Sequence, residues 1–273
     1  MYVRGSTTIS LIVLVLIIGS VFLAGGIFPK MPLKSSVEIP VRKVVLDPSS
    51  LDPDSKNSLQ LKTLKFKECS ESITMDLLLD RTGSMGQNTP SGTKKIERLK
   101  EAVLALTNNL SDNSTIGIQS FSSVSITNDV PISYYRDVKA LIPQKVNAYR
   151  ANGNTPTHNA LAFAYERLKE ALPRFPGRTF NFILVSDGQP VPPSQDPRLF
   201  NPNPANEIKS LGINIYTLGI FSGSQASDPK LAELLKSVAS KPENYYVANT
   251  ADDTKALLKT ISEKICEGQA QSQ

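Results

Sequence analysis

A doubly wound α/β domain, with a mostly parallel sheet flanked by helices, is the fold that this 273-residue sequence predicts. One transmembrane helix is expected to precede it. Three observations carry the expectation. From residue 73 onward, short apolar runs alternate with segments of helical periodicity, the pattern of βα units. The runs are close to continuously apolar, as in 75–79 and 180–185, which suits parallel strands buried on both faces. Asp80 directly follows the first of these runs, and Asp187 follows the second after Ser186. Sheets of this class bind ligands at the carboxyl ends of their strands, where the strand order reverses.

The elements follow in order. Residues 5–29 carry no charge, and 9–28 is dense in Ile, Leu and Val. About 20 such residues span a bilayer core. The sequence therefore predicts a short cytoplasmic tail at 1–7 and a membrane anchor at 8–28. A cleaved signal peptide is the rival reading, but 21–25 makes a poor small-x-small cleavage site. A prepilin-type leader cut after Gly5 lacks the glutamate it needs, since Ser10 stands there. Basic residues flank both ends of the segment (Arg4; Lys30 and Lys34), so charge bias leaves its orientation open. Residues 29–67, with Pro29, Pro32, Pro40, Pro48 and Pro53, read as a stalk in which 41–46 and 59–66 have strand character. The globular domain is expected over 68–267, with a tail at 268–273. Its predicted strands are 73–79, 115–121, 180–186, 213–219 and 245–248. Its predicted helices are 94–110, 156–171, 202–210, 228–239 and 252–266. Ile96, Leu99, Ala102, Val103 and Leu106 show the helical spacing. Segment 124–150 is expected to hold a short antiparallel edge strand near 124–130, then one or two helices.

Composition excludes some classes of function. A net charge of +5 from 30 basic and 25 acidic residues is mild, and no arginine stripe interleaves with aromatics, so no nucleic-acid partner is expected. His158 is the only histidine, and neither cysteine has a histidine nearby in sequence. No phosphate loop or Gly-x-Ser-x-Gly elbow is present, and no catalytic residues are assigned. An aspartate after a strand also opens haloacid-dehalogenase-type phosphatases, but these want a second aspartate two residues on, where Thr82 stands.

The candidate site is built from oxygen donors. Asp80, Thr82 and Ser84 occupy alternate positions after the first strand, and Gly83 and Gly86 break the chain there. Thr155 precedes a helix, and Asp187 follows the fourth strand. Carboxylates and hydroxyls alone suit a hard divalent cation, with Mg2+ the best match and Mn2+ or Ca2+ the alternatives. Each segment taken singly also reads as an ordinary turn or helix cap. All three in order point to a site.

On these motifs the chain resembles the von Willebrand factor type A (vWA) domain with its metal-ion-dependent adhesion site. The family pattern is Asp-x-Ser-x-Ser, then a threonine, then an aspartate; here Thr82 replaces the first serine and keeps the hydroxyl. Segments 115–122 and 211–220 look like the family's second and fifth strands, and the resemblance covers roughly residues 70–267. It implies that the hydroxyls of Thr82, Ser84 and Thr155 contact the metal, and that Asp80 and Asp187 act directly or through water. It also implies an open coordination position for an Asp or Glu carboxylate of a protein partner. Asp80 is a further candidate to orient the Ser84 hydroxyl, and Arg81, pointing away from Asp80, is read as structural. The domain's termini lie close together in this family, so Cys69 and Cys266 can pair. A disulfide argues for an oxidising compartment, placing the domain outside the cytoplasm on a single-pass membrane protein. The expected function is adhesion or protein–protein binding. The alternative is a structural or assembly part of a surface appendage such as a tight-adherence pilus. The proline-rich loop 188–206, flanked by 85–93 and 222–228, is expected to set partner choice.

Overall fold

The structure is a computed structural model that describes residues 73–221 and 229–270. These lie in the second of two units into which the chain divides, Leu64–Gln273. The expected anchor, the stalk, Cys69 and the 222–228 loop fall outside the described residues. No helix among the described residues is long and apolar enough to cross a membrane.

Six strands form one sheet in the order β3-β2-β1-β4-β5-β6. They are β1 (Thr74–Asp80), β2 (Thr115–Phe121), β3 (Ile126–Tyr134), β4 (Asn181–Ser186), β5 (Asn214–Ile220) and β6 (Tyr245–Ala248). All pairings are parallel except β2 with β3. Among the described residues six α-helices lie between the strands, α1 (Lys95–Thr107), α2 (Tyr135–Val138), α3 (Leu141–Asn147), α4 (Thr157–Ala171), α5 (Pro204–Ser210) and α6 (Pro229–Val238), and α7 (Thr254–Ala270) follows the last.

The apolar strands are buried on both faces because each face carries its own helical layer. On one face, Met75, Leu77, Leu79, Ile116, Ile118, Ile183 and Val185 pack with α1, α3 and α7 through Leu99, Val103, Val146, Leu258 and Ile261. On the other, Leu78, Phe182, Leu184 and Ile215 pack with α4, α5 and α6 through Leu161, Leu168, Ile208 and Leu234. Alternate residues of one strand therefore serve two separate cores.

Strand and helix positions follow the sequence pattern to within a few residues. The main departure is β3, which starts at Ile126 and runs on to Tyr134, well past the predicted edge strand. It is an edge strand with a mixed burial pattern, so hydrophobicity marks it weakly; its pairing to the fully buried β2 defines it. β1 lies between β2 and β4, with Leu79 paired to Val185. The chain returns through α1 to one side of β1 and later through α4 to the other. The strand order thus reverses at β1, and the crevice beyond Asp80 opens at that switch point.

Candidate functional site

Three loops meet at this crevice, and backbone hydrogen bonds lace them together. The Gly83 amide donates to the Gly153 carbonyl at 2.8 Å, the Asn152 amide to the Arg81 carbonyl at 2.9 Å, and the Val191 amide to the Thr155 carbonyl at 3.0 Å. Arg81 turns away from the crevice, as its place in the trace predicts. Its guanidinium donates to Ser120 Oγ at 3.0 Å and to the carbonyl and hydroxyl of Ser125, tying the β2–β3 connection to the first ligand loop.

The five predicted ligand residues lie on the loops and strand ends that meet here. Asp80 and Asp187 are fully buried, and Thr82 and Thr155 nearly so. Ser84 Oγ donates to Asp187 Oδ1 at 2.7 Å and lies 3.1 Å from Thr82 Oγ1. A methyl group placed on Gly188 would sit 3.2 Å from Thr155 Oγ1 and 3.5 Å from Ser84 Oγ, so both hydroxyls border one small space that glycine leaves open. With the Ser84 proton committed to Asp187, a lone pair on its oxygen remains to face a cation. Among the described residues no three His, Cys, Asp or Glu side chains cluster to hold a metal. The crevice combines two carboxylates with three hydroxyls, an oxygen-only donor set that suits a hard divalent ion.

One expected contact is differently made. Ser84 is oriented by Asp187, while Asp80 accepts from the Thr82 amide at 2.8 Å through Oδ1 and from Ser186 Oγ at 2.6 Å through Oδ2. The reason is direction. The turn Gly83–Gly86 carries Ser84 across towards β4, whereas Asp80 still sits on β1 beside the end of that strand. Burial, and then the neighbouring Asp187 charge, push the Asp80 carboxyl well above the ordinary carboxylate range; the Ser186 and Thr82 hydrogen bonds pull the other way.

Sequence reasoning missed three participants: Ser186, Gln87 and Lys95. Lys95 Nζ lies 2.7 Å from Asp187 Oδ2 and 3.1 Å from Gln87 Oε1, and both side chains of the ion pair are fully buried. The signal was present. Lys95 falls four residues before Leu99 and seven before Ala102, on the apolar stripe of α1. A lysine on a buried stripe needs a counter-charge. His158, the lone histidine, stacks on Phe200 with ring centroids 3.3 Å apart and takes no part in the crevice.

Among the described residues, four large apolar side chains are exposed: Val124, Val191, Leu199 and Phe200. All four lie on connections that leave the carboxyl ends of β2 and β4, the same edge as the crevice. Loop 188–206 is ordered by short helical turns at Pro193–Gln195 and Pro197–Leu199, and Asp196 caps the second by accepting from the Arg198 amide at 2.9 Å.

The family model of the von Willebrand factor type A domain matches residues 76–264. The collagen alpha-1(XXI) chain of Xenopus laevis is 25% identical over 181 residues, which is 64% of this chain and 17% of that relative. Among solved structures, the pilus adhesin SpaC of Lactobacillus rhamnosus GG superposes with a TM-score of 0.59 at 17% identity, covering 73% of this chain and 31% of the adhesin. The vWF domain of the type V pili tip protein Mfa5 of Porphyromonas gingivalis gives 0.56 at 14% identity, covering 73% of this chain and 97% of that domain. Proximal thread matrix protein 1 of the mussel byssus, with zinc occupying its MIDAS motif, gives 0.53 at 17% identity, covering 71% and 48% of the two chains. At these identities the structural likeness is one of fold.

Proposed function

This chain belongs to the von Willebrand factor type A domain family, and from that premise we propose that it is a membrane-anchored module that binds a protein partner through a divalent cation. The observation that carries the reading is the meeting of Asp80, Thr82, Ser84, Thr155 and Asp187 in one crevice at the strand-order switch point. Thr82, Ser84 and Thr155 would hold the ion, with Asp80 and Asp187 acting directly or through water. The bound ion, with Mg2+ the preferred identity, supplies an electrophilic position for a carboxylate oxygen of the partner. The mussel protein with zinc in its MIDAS motif supports divalent binding in this fold.

The chain's own residues prepare that position. Asp187 accepts the Ser84 hydroxyl hydrogen bond, Ser186 and the Thr82 amide fix Asp80, and the laced backbone keeps the three loops in register. A single carboxylate contact is small beside the roughly 1,200 Å² that specific interfaces bury. The exposed Val124, Val191, Leu199 and Phe200 on the same edge supply apolar surface beside it. The reading is one of binding without turnover.

The anchor at 8–28 and the Cys69–Cys266 disulfide belong to the same proposal and place the domain outside the cytoplasm. Ile73 borders the groove lined by Ser262 and Glu263 of α7, and Cys266 lies one turn further along that helix. Four residues of extended chain reach about 14 Å, enough to bring Cys69 within range of it. Non-reducing mass spectrometry should find the Cys69–Cys266 peptide pair; two alkylatable thiols would refute it.

The decisive experiment on the site is a Mn2+ titration of the chelator-treated protein followed by calorimetry. Thr82→Val removes one hydroxyl and keeps the shape of the side chain. It should weaken binding at least about tenfold, the worth of roughly 1.4 kcal/mol. Equal affinity in wild type and Thr82→Val, or no binding by the wild type, would end the metal-bridged model.

A further inference from the structure

We propose that Lys95 is a built-in counter-cation of the crevice: it holds down the affinity for the divalent ion and makes ion binding depend on an external anion. The inference rests on the reading of the oxygen cluster as a cation site and deepens it by assigning the control of that site.

Lys95 is a fully buried lysine at the first position of α1. Its Nζ lies 2.7 Å from Asp187 Oδ2, while Ser84 Oγ takes Asp187 Oδ1 at 2.7 Å. One carboxylate therefore serves two clients: an ammonium on one oxygen and a ligand hydroxyl on the other. The Gln87 side-chain carbonyl, 3.1 Å from Nζ, helps to fix the ammonium in place. The Gln87 backbone carbonyl also accepts from the Lys95 amide at 2.9 Å, so the turn after the first ligand loop and the start of α1 are held together.

The charges decide the consequence. With both carboxylates ionised, as a bound cation requires, Asp80 and Asp187 with Lys95 leave the crevice one formal negative charge, where the two carboxylates alone would leave two. A divalent ion on the two carboxylates alone would reach neutrality. With Lys95 present the loaded crevice carries one formal positive charge, buried where solvent screens it little. Lys95 thus opposes the incoming cation twice: it repels it, and it draws on the same Asp187 charge. A single carboxylate arriving from outside restores neutrality. Cation and carboxylate must then favour each other's binding, and by linkage the effect is reciprocal. The unaided ion should bind weakly, and the ion with its partner carboxylate should bind well. The site would stay largely unloaded until a partner presents its anion.

The test uses the full chain, with Mn2+ as the metal probe and acetate as the carboxylate probe, at matched ionic strength against chloride. Wild type should bind Mn2+ more tightly in acetate than in chloride. Lys95→Gln keeps a donor for Asp187 and removes the charge. It should bind Mn2+ at least about tenfold more tightly than wild type in chloride, and its affinity should respond little to acetate. A role for Lys95 in folding alone would move the melting temperature and leave the acetate dependence as it was. Should Lys95→Gln fail to fold, the wild-type comparison between acetate and chloride decides, and no gain in acetate overturns the proposal. Wild-type binding of Mn2+ with Lys95→Gln equal or weaker also overturns it while sparing the cation site. Absence of Mn2+ binding in both proteins overturns the site and the inference together.

Discussion

Asp187 shows how one side chain can carry two roles that mutation confounds. It orients Ser84 and neutralises Lys95, and both it and Lys95 are wholly inside the protein. Truncating it strands a buried ammonium, and breaking a buried ion pair by removing one partner costs about 3–5 kcal/mol. Asp187→Ala should therefore lower stability by that order in urea unfolding without any metal present. Lys95→Met combined with Asp187→Ala should recover most of the loss, because no unpaired charge remains. A double variant no more stable than Asp187→Ala would show that the pair is not what Asp187 stabilises. The residue-level ligand pattern was legible because Asp80, Thr82 and Ser84 alternate after an apolar run and glycines follow. Ser186 and Gln87 were not, because their partners are set by the fold; the place of Lys95 on the apolar stripe of α1 signals a buried charge but does not name Asp187 as its counter-charge.

Among the elements, β1 and β2 carry an unusual polar patch inside the sheet. Asp76 is fully buried; the Gln119 side-chain amide donates to its Oδ2, while Asp76 Oδ1 and Gln119 Oε1 have no hydrogen-bond partner. Burial pushes the Asp76 carboxyl up to about 7, against the opposing pull of Gln119 and the Leu77 amide. The folded value lies above the ordinary 3.8. The native state therefore holds the proton where the unfolded chain releases it, and this contribution, complete below about pH 4, is lost as pH rises towards 7. Asp76→Asn removes the titration. Its stability advantage over wild type should grow from pH 4.5 to pH 8 in urea unfolding, by up to about 3 kcal/mol. A gap constant with pH would contradict the assignment. Gly117 faces this patch across the β1–β2 ladder. A Cβ there would fall inside van der Waals contact of Asp76 Oδ1 and Ile132 Cγ1. Gly117→Ala should accordingly lower stability by about 1–3 kcal/mol through overpacking. Calorimetric melting that finds it neutral would mean that Asp76 or Ile132 gives way freely.

For the molecule as a whole, the two cores lie on opposite faces of the sheet and the crevice lies beyond its edge. The loops are laced by protein hydrogen bonds, so the fold should assemble without an ion. Added Mg2+ should raise the melting temperature only as mass action allows, at most about 2.7 kcal/mol when the ion is at a hundred times its Kd. Exposed apolar groups gather on the crevice edge, and Val191→Ser with Leu199→Ser and Phe200→Ser removes three of the four from loop 188–206. Mn2+ affinity should be retained in that variant, while capture of the partner that the wild type retains in Mg2+ is lost. Full capture by the variant would take specificity away from the loop.

The sequence alone determined the α/β class, most strand and helix positions, and the order of the three ligand segments. Those features are written in local periodicity and in residue types at strand ends, which neighbouring residues are enough to specify. The extent of β3 was decided only by pairing, since an edge strand of mixed burial has little pattern of its own. The exchange of Asp80 for Asp187 as the partner of Ser84, and the placing of Lys95 in the crevice, were likewise decided only by tertiary structure. Both follow from where α1 and β4 come to lie beside β1. Local pattern can mark Lys95 as buried, but it does not name a partner that lies 92 or 103 residues away in the chain.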